Sequence, residues 1–592
     1  MSTLALLREE PSRRALRAIT HQIGYGTLAR TGLKTIVRSR LNRAELPRQF
    51  FLSLWDTLGQ REAIVDGDQR INFAQFKDRV LRLANGLHQL GVREGDACAE
   101  LLYNCSHWFE LNLACALTGV AMPMLNWHLR PQELVDCIQR ANAKILVVDS
   151  GFADTVAKVR SQMPTVERIL LVGPERREGF ESFEDLINRS TPSLPPGHFA
   201  MSSKPYSGGT TGTPKYINLN HDAMFGESDM ARRGVSREQV TRLTLMQASA
   251  FDWYGLGECH DPITGNARSL IPGPLYHAGV QIGVLPFFFG GTVVPMRKFT
   301  AEGFLQLIQD ERINWTFVAP TMLERVLALP DEVKNKYNLA SMRTIVCAAA
   351  PCPPKVKQGI NALFRRQGAK DDVFYEYYGA SETGLITVLV PADYQADPKR
   401  YESVGKVRAA QCRIYDPETQ RWAPTGQEGK VLVRSALTSG LEYVGQKAKT
   451  DECFIEIDGE LWYDDGLIGY LDADGFLYLT SRVKEMIITG GVNLFPNEIE
   501  HAIKLHPKVA DVAVVRAPDK DLGEVPAAVI QLKEGEFADA DEILAHCKEV
   551  GLYGFKLPKI IDFVDQLPRN LAGKLPKKDL EARYWEGVAK HG

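Results

Sequence analysis

The chain has 592 residues, of which 44% are apolar, 24% charged and 9% aromatic, a make-up that excludes disordered, collagen-like and disulfide-scaffold proteins and allows several compact units. Lys and Arg number 70 against 73 Asp and Glu, a formal net charge of −3, so no whole-surface attraction to nucleic acid is expected and any anion site must be local. Ten cysteines are scattered without a C-x-x-C pair, and Cys259-His260 has no second pair to complete a zinc site. They read as reduced, buried thiols of a cytoplasmic protein. The most apolar stretch, residues 283–296, is broken by Pro286, Gly290, Gly291 and Pro295 and falls short of the ~18 residues a spanning helix needs.

Residues 1–45 form a basic extension, with nine Arg or Lys against only Glu9 and Glu10 up to position 44. Leu33, Ile36, Val37 and Leu41 recur at helical spacing beside the arginines, which suits a helix lying peripherally on anionic lipid. A solvated arm packed on the body fits the same composition. A transit peptide fits less well, because Ser is sparse and the acidic pair is unfavourable.

Next comes an amphipathic helix capped by Asn72, with Phe76, Val80, Leu83, Ala84 and Leu87 on one face and Gly91 at its end. A strand over 97–102, an apolar helix after His107, and strands over 144–148 and 168–172 continue a strand–helix alternation typical of buried parallel sheets. After residue 485 a short strand, a helix opened by Pro496, and strands over 509–515 and 527–532 make a compact α+β unit. The fold class is therefore α/β. We expect a large domain over 46–481, a hinge over 482–486 and a small C-terminal α+β domain over 487–592.

The segment Tyr206-Ser-Gly-Gly-Thr-Thr-Gly-Thr-Pro-Lys-Tyr216 packs three glycines, four aliphatic hydroxyls and a lysine into eleven residues. Glycines let backbone N–H groups converge on an anion, Ser207, Thr210, Thr211 and Thr213 add donors, and Lys215 adds a compact charge, so a polyphosphate is the natural ligand. The nucleoside triphosphatase loop is excluded, because Tyr216 stands where that loop needs a Ser or Thr for magnesium.

This segment resembles the phosphate loop of the adenylate-forming superfamily, which includes acyl-CoA synthetases, adenylation domains and luciferases. Ser207, Gly208, Gly209, Thr210, Thr211, Gly212 and Lys215 match it, and Tyr216 departs from its usual glycine. The resemblance extends over residues 50–590. Tyr378, Gly379, Ser381 and Glu382 lie in a segment similar to the family's Y-G-x-[ST]-E, which implies adenine stacking by the tyrosine and magnesium binding by Glu382, with Thr210 beside it. Ala349, Ala350 and Pro351 match the small-residue turn against adenine. Pro274-Leu-Tyr-His277 is similar to the stretch that places a histidine, here His277, between the acyl pocket and the thiol tunnel; a satisfied buried histidine reads equally well. Residues 286–289 and 315–321 supply either apolar pocket walls or ordinary core.

Arg482 and Lys484 occupy the places of the family's ribose-contacting arginine and hinge residue. Gly490 and Gly491 resemble the loop lining the CoA tunnel. Pro568-Arg-Asn-Leu-Ala-Gly-Lys574 is similar to the segment whose lysine, here Lys574, catalyses adenylation. Lys577 and Lys578 read as solvated, or as contacts to CoA phosphates. One departure stands out: Asp464-Asp-Gly-Leu-Ile-Gly469 aligns Leu467 with the family's ribose-gripping aspartate, so either Asp465 takes its place or the nucleotide is held weakly. The resemblance implies an AMP-forming ligase that uses ATP, Mg2+ and CoA to convert a hydrophobic carboxylic acid to its thioester. Transfer to a carrier protein or another nucleophile, and a degenerate non-catalytic binder of nucleotide or acyl ligand, are the alternatives.

Overall fold

The computed structural model describes residues 9–42, 44–200, 203–205, 217–219, 236–257, 259, 266–277, 281–350, 352–380, 382–443, 447–482, 485, 487–489, 492–494, 496–519, 522–569 and 575–586. It is α/β. A nine-stranded sheet runs in the order Lys406–Val407, Gly384–Leu389, Phe374–Ala380, Thr344–Cys347, Trp315–Val318, Arg268–Ile271, Thr292–Pro295, Glu62–Asp66, Gln69–Asn72. Its six middle strands are parallel and its edges antiparallel. The middle strands Arg268–Ile271, Thr292–Pro295, Trp315–Val318 and Thr344–Cys347 are buried at every residue, as expected of a parallel sheet covered on both faces.

A second, wholly parallel sheet carries Ala97–Leu101, Ala143–Asp149 and Arg168–Val172. The main core lies between the two sheets, where Trp55, Phe73, Phe76, Trp108, Phe109 and Phe287 are packed. A third, antiparallel sheet is built on the long strand Glu460–Leu471, paired with Gly429–Arg434, Phe454–Ile457 and Leu477–Arg482. The C-terminal region has its own five-stranded sheet, centred on Val509–Asp519 and Gly523–Leu532. Helices Pro496–Lys504 and Ala540–Glu549 pack on one face of it.

Local chemistry accounts for the element ends. Asn72 accepts from the Gln75 N–H (2.8 Å) while the Gln75 side chain accepts from the Asn72 N–H (3.0 Å), a reciprocal cap on helix Phe73–Gln89. The expected face of that helix, Phe76, Val80, Leu83, Ala84 and Leu87, is buried. Nine of the ten cysteines are buried, and no helix among the described residues is long and apolar enough to cross a membrane.

Residues of the basic extension form two helices, α1 (Glu10–Ile23) and α2 (Tyr25–Ser39), followed by α3 (Leu46–Leu58). The first is built into the body. Arg14 reaches the buried Asp252 at 2.9 Å and lies 3.5 Å over the Trp253 ring. The Gln22 amide donates to the carbonyls of Leu256 and Cys259 (3.0 Å) and accepts from the Ala267 N–H (2.8 Å).

One reading of the sequence needs correction, and one left open is decided. Lys577 is not solvated: its side chain is 16% exposed and its ammonium lies 3.0 Å from Glu485 and 2.8 Å from Glu500. Of the aromatic residues read as either pocket wall or core, Phe287 and Trp315 are core; Phe287 stacks on Phe73 and meets Phe76 and Phe109 edge-on or tilted.

Candidate active site

Parallel strands leave their C-terminal ends facing one crevice, where loops can place functional groups on a rigid base. Three of the predicted segments leave the nine-stranded sheet at that edge. Residues 348–350 follow Thr344–Cys347, Tyr378 and Gly379 close Phe374–Ala380, and His277 follows Arg268–Ile271. Ala349 has φ +77°, a left-handed conformation that is uncommon for a side-chain-bearing residue. Ala348 beside it is buried and its N–H donates to the Val318 carbonyl (3.2 Å).

Phe374–Ala380 pairs antiparallel with Gly384–Leu389, and this hairpin carries Glu382. Thr383 is buried, and its hydroxyl accepts from the Ala380 N–H at 2.9 Å. Gly379 has no room for a side chain, because a Cβ there would run into the Gly384 carbonyl oxygen. Gln247, on helix Arg237–Trp253, clamps the returning strand: its amide donates to Leu385 O (2.7 Å) and Ala409 O (2.9 Å) and accepts from Leu385 N–H (3.0 Å). Under the strand the buried Glu376 carboxylate pairs with the buried Lys357 ammonium, which also donates to Ser403 O (3.1 Å). Burial pushes Glu376 up, and Lys357 opposes that shift.

The Tyr378 hydroxyl donates to the Asp465 carboxylate. These residues lie 87 apart in sequence, on two different sheets. Asp465 reaches this place through a bulge: Lys430 pairs with Ile468 but Leu432 pairs with Asp464, so the long strand holds extra residues at 465–467. Gly466 within it has φ +71°. Asp464 turns away to Lys430 (2.9 Å), and Leu467 packs into the apolar cluster of Ile386, Cys412, Ile414 and Val433.

His277 is half-buried, with its ring 4.5 Å from that of Tyr276, which in turn meets Trp127 edge-on at 5.0 Å. Its loop is pinned by the buried Asn104, whose amide donates to Ile271 O (3.2 Å), Gly273 O (2.7 Å) and Met296 O (3.1 Å) and accepts from Leu275 N–H (3.0 Å). Asn104, Gln247 and Thr383 were not foreseen. Asn104 and Gln247 are lone polar residues without a motif around them, and Thr383 borders the Tyr378–Glu382 segment; only the backbone groups each satisfies reveal its part.

Ser207, Gly208, Gly209, Thr210, Thr211, Gly212, Lys215, Pro351, Ser381, Lys484, Gly490, Gly491 and Lys574 lie outside the described residues, as does the side chain of Arg482. Among the described residues there is no cluster of three metal-ligating side chains. The donor chemistry still suits a substrate-borne magnesium ion, since the half-buried Glu382 offers hard carboxylate oxygens on a braced hairpin.

Comparison with known proteins identifies the family. The AMP-binding enzyme family model matches residues 55–441, and the model of the AMP-binding enzyme C-terminal domain matches 498–574. A methyl-dioxo-octahydroindenyl-propanoyl:CoA ligase of Rhodococcus jostii (strain RHA1) is 30% identical over 547 residues, covering 88% of this chain and 95% of the relative. The fatty acid–acyl-carrier-protein ligase ScoC of Streptomyces coeruleorubidus is 28% identical over 535 residues, 89% of this chain and 94% of its own. The solved structure of ATP-bound MatB from Rhodopseudomonas palustris superimposes with a TM-score of 0.72 at 26% identity, covering 91% of this chain and 99% of that one. The chain belongs to the AMP-binding enzyme family, in the acyl-CoA synthetase branch of the adenylate-forming superfamily, and is an adenylate-forming ligase.

Proposed function

We propose that the protein activates a hydrophobic monocarboxylic acid with ATP and transfers the acyl group to CoA. The observation that carries this reading is the meeting of Tyr378 with Asp465 beside the turn at Ala349 and Ala350, which supplies an aromatic face, a small-residue surface and a hydroxyl-accepting carboxylate in one place. In this reading Tyr378 and Gly379 flank adenine, Asp465 accepts from the ribose hydroxyls with Arg482 nearby, and the 207–215 loop holds the phosphates through its N–H groups, hydroxyls and Lys215. Magnesium, held by Glu382 with Thr210, would offset phosphate charge.

The acid's carboxylate oxygen attacks the α-phosphorus, the bond to pyrophosphate breaks, and an acyl-adenylate results. The Lys574 ammonium is proposed to bridge the reacting carboxylate and the α-phosphate, offsetting charge as it builds. The small domain over 487–592 then turns about Lys484, bringing the loop at Gly490 and Gly491 to the site. The CoA thiolate attacks the acyl carbonyl carbon and AMP leaves, with His277 between the acyl and thiol sides. The hydrophobic acid is supported by the relatives, whose names give an indenyl-propanoyl group and a fatty acid. The same carrier-protein ligase favours a second reading, in which a carrier thiol replaces CoA. The packing of the partly buried Leu467 against an apolar cluster, with Asp465 beside Tyr378, speaks against a degenerate binder.

The test is pyrophosphate and AMP release across aliphatic, aryl and polycyclic acids, with and without CoA. Acid-dependent pyrophosphate with CoA-dependent thioester is expected; pyrophosphate with thioester only on a carrier protein would replace CoA by the second acceptor, and no turnover with any acid would overturn the proposal. Lys574→Ala is expected to abolish adenylate formation and to spare thioester formation from supplied acyl-adenylate. Equal loss in both steps would remove the assigned role.

A further inference from the structure

An amphipathic helix ordinarily turns its aliphatic face to the body and its polar face to water. Helix α2 does the reverse. Its buried positions are Thr31, Thr35 and Ser39, small hydroxyl residues one turn apart that let it lie close on the body. The Thr35 hydroxyl is satisfied within the helix, donating to Thr31 O at 2.7 Å. Outward stand Leu33 (65% exposed), Ile36 (50%) and Val37 (67%), followed by Leu41 (72%) just past the helix. Scattered exposed apolar residues are ordinary, but a contiguous stripe of four aliphatics is not.

The charge around the stripe is one-sided. Residues 24–44 contain five basic side chains and no acidic one, in a chain whose formal net charge is −3. Arg38 and Lys34 tie the helix to α3, at 2.6 Å from Asp56 and 3.2 Å from Thr57, while Arg30 and Arg40 are exposed. From the apolar stripe set among cations we infer that this face of α2 docks on an anionic lipid bilayer, with the aliphatics entering the headgroup boundary and the arginines meeting lipid phosphates. A second copy of the chain is a poorer occupant, since a two-fold contact would set the same basic cluster against itself. Because α1 is fixed to Asp252 and to the backbone of Leu256, Cys259 and Ala267, docking would hold the body in one orientation on the surface.

Point substitutions in the full chain test this better than truncation, which would also remove Arg14 and Gln22 from the body. Co-sedimentation would use phosphatidylcholine vesicles with and without phosphatidylglycerol, at about 0.05 and about 0.5 M salt. Wild type is expected to bind the anionic vesicles at low salt, with at least about tenfold loss in the Leu33→Ser/Val37→Ser and Arg30→Gln/Arg40→Gln variants. Both variants should keep the wild-type thermal unfolding midpoint and lipid-free turnover. No binding at low salt, equal binding to neutral vesicles, or equal binding by the variants overturns the inference. So does a wild-type dimer in sedimentation velocity that Leu33→Ser/Val37→Ser dissolves, which would make a second copy the occupant.

Discussion

Asp465 and Leu467 separate two ways of holding a ribose. If Asp465 accepts from the sugar hydroxyls, Asp465→Ala should raise KM for ATP about ten- to a hundredfold, the range for losing hydrogen bonds to a charged acceptor. Adding Leu467→Asp should not rescue it, because position 467 packs, partly buried, against Ile386, Cys412, Ile414 and Val433, where a carboxylate would lose solvation. Steady-state kinetics on the single and double variants check this; rescue by the second substitution would move the ribose contact to 467. The pair also shows the limit of alignment on glycines. Motif spacing pointed to Leu467, but the bulge opposite Lys430 is a property of strand pairing, which one strand's residues do not display. Glu100 gives a separate test. It is buried, and burial pushes it up to about 8 from an ordinary 4.5, with the Leu102 N–H (3.0 Å) opposing only partly. The folded state thus keeps a proton the unfolded chain gives up, so this contribution is complete below about 4.5 and is lost as pH rises through about 8. Glu100→Gln should gain thermal stability over wild type as pH increases across that window, and a pH-independent difference would contradict the assignment.

Helices and strands were legible where their information is local. The cap at Asn72, the apolar face behind it, the strand Arg168–Val172 and the Pro496 helix start all follow from neighbours a few residues apart. What holds the hairpin at Glu382 is not local. Gln247 sits more than a hundred residues upstream on helix Arg237–Trp253, and no periodicity marks it. Gln247→Ala removes two hydrogen bonds from Leu385, in the strand behind Glu382, and one from Ala409 O, a loss on the order of 1–3 kcal/mol at the hairpin. We expect the Mg2+ concentration for half-maximal pyrophosphate release to rise, with a smaller change in KM for the acid. Equal effects on both, in a titration of each, would show a general rather than a hairpin-specific role.

At the scale of the molecule, among the described residues, helix Pro496–Lys504 of the C-terminal unit meets the large body through polar contacts: Lys504 lies 3.8 Å from Glu324, and Asn497 donates to Thr480 O at 3.3 Å. Polar contacts of this kind suit the proposed rotation. Lys484→Pro, which fixes one backbone torsion at the hinge, should slow one half-reaction at least about tenfold and leave the other nearly unchanged; single-turnover assays of each step decide, and parallel losses would place the pivot elsewhere. The α/β class and the C-terminal unit were visible in the alternation of strands and helices, whereas the docking of α1 was not, because its partners are more than 200 residues away. That distance matters during synthesis. Gln22 is made first, yet the carbonyl of Cys259 and the N–H of Ala267 that it serves emerge after well over 200 further residues. At about 5–20 residues per second the nascent α1 waits roughly ten to fifty seconds with its body-facing side uncovered. A translating ribosome therefore displays this helix alone for most of the time it takes to build the main sheet, a period in which a holding chaperone, or an early-formed membrane contact by α2, has the first opportunity to shield it.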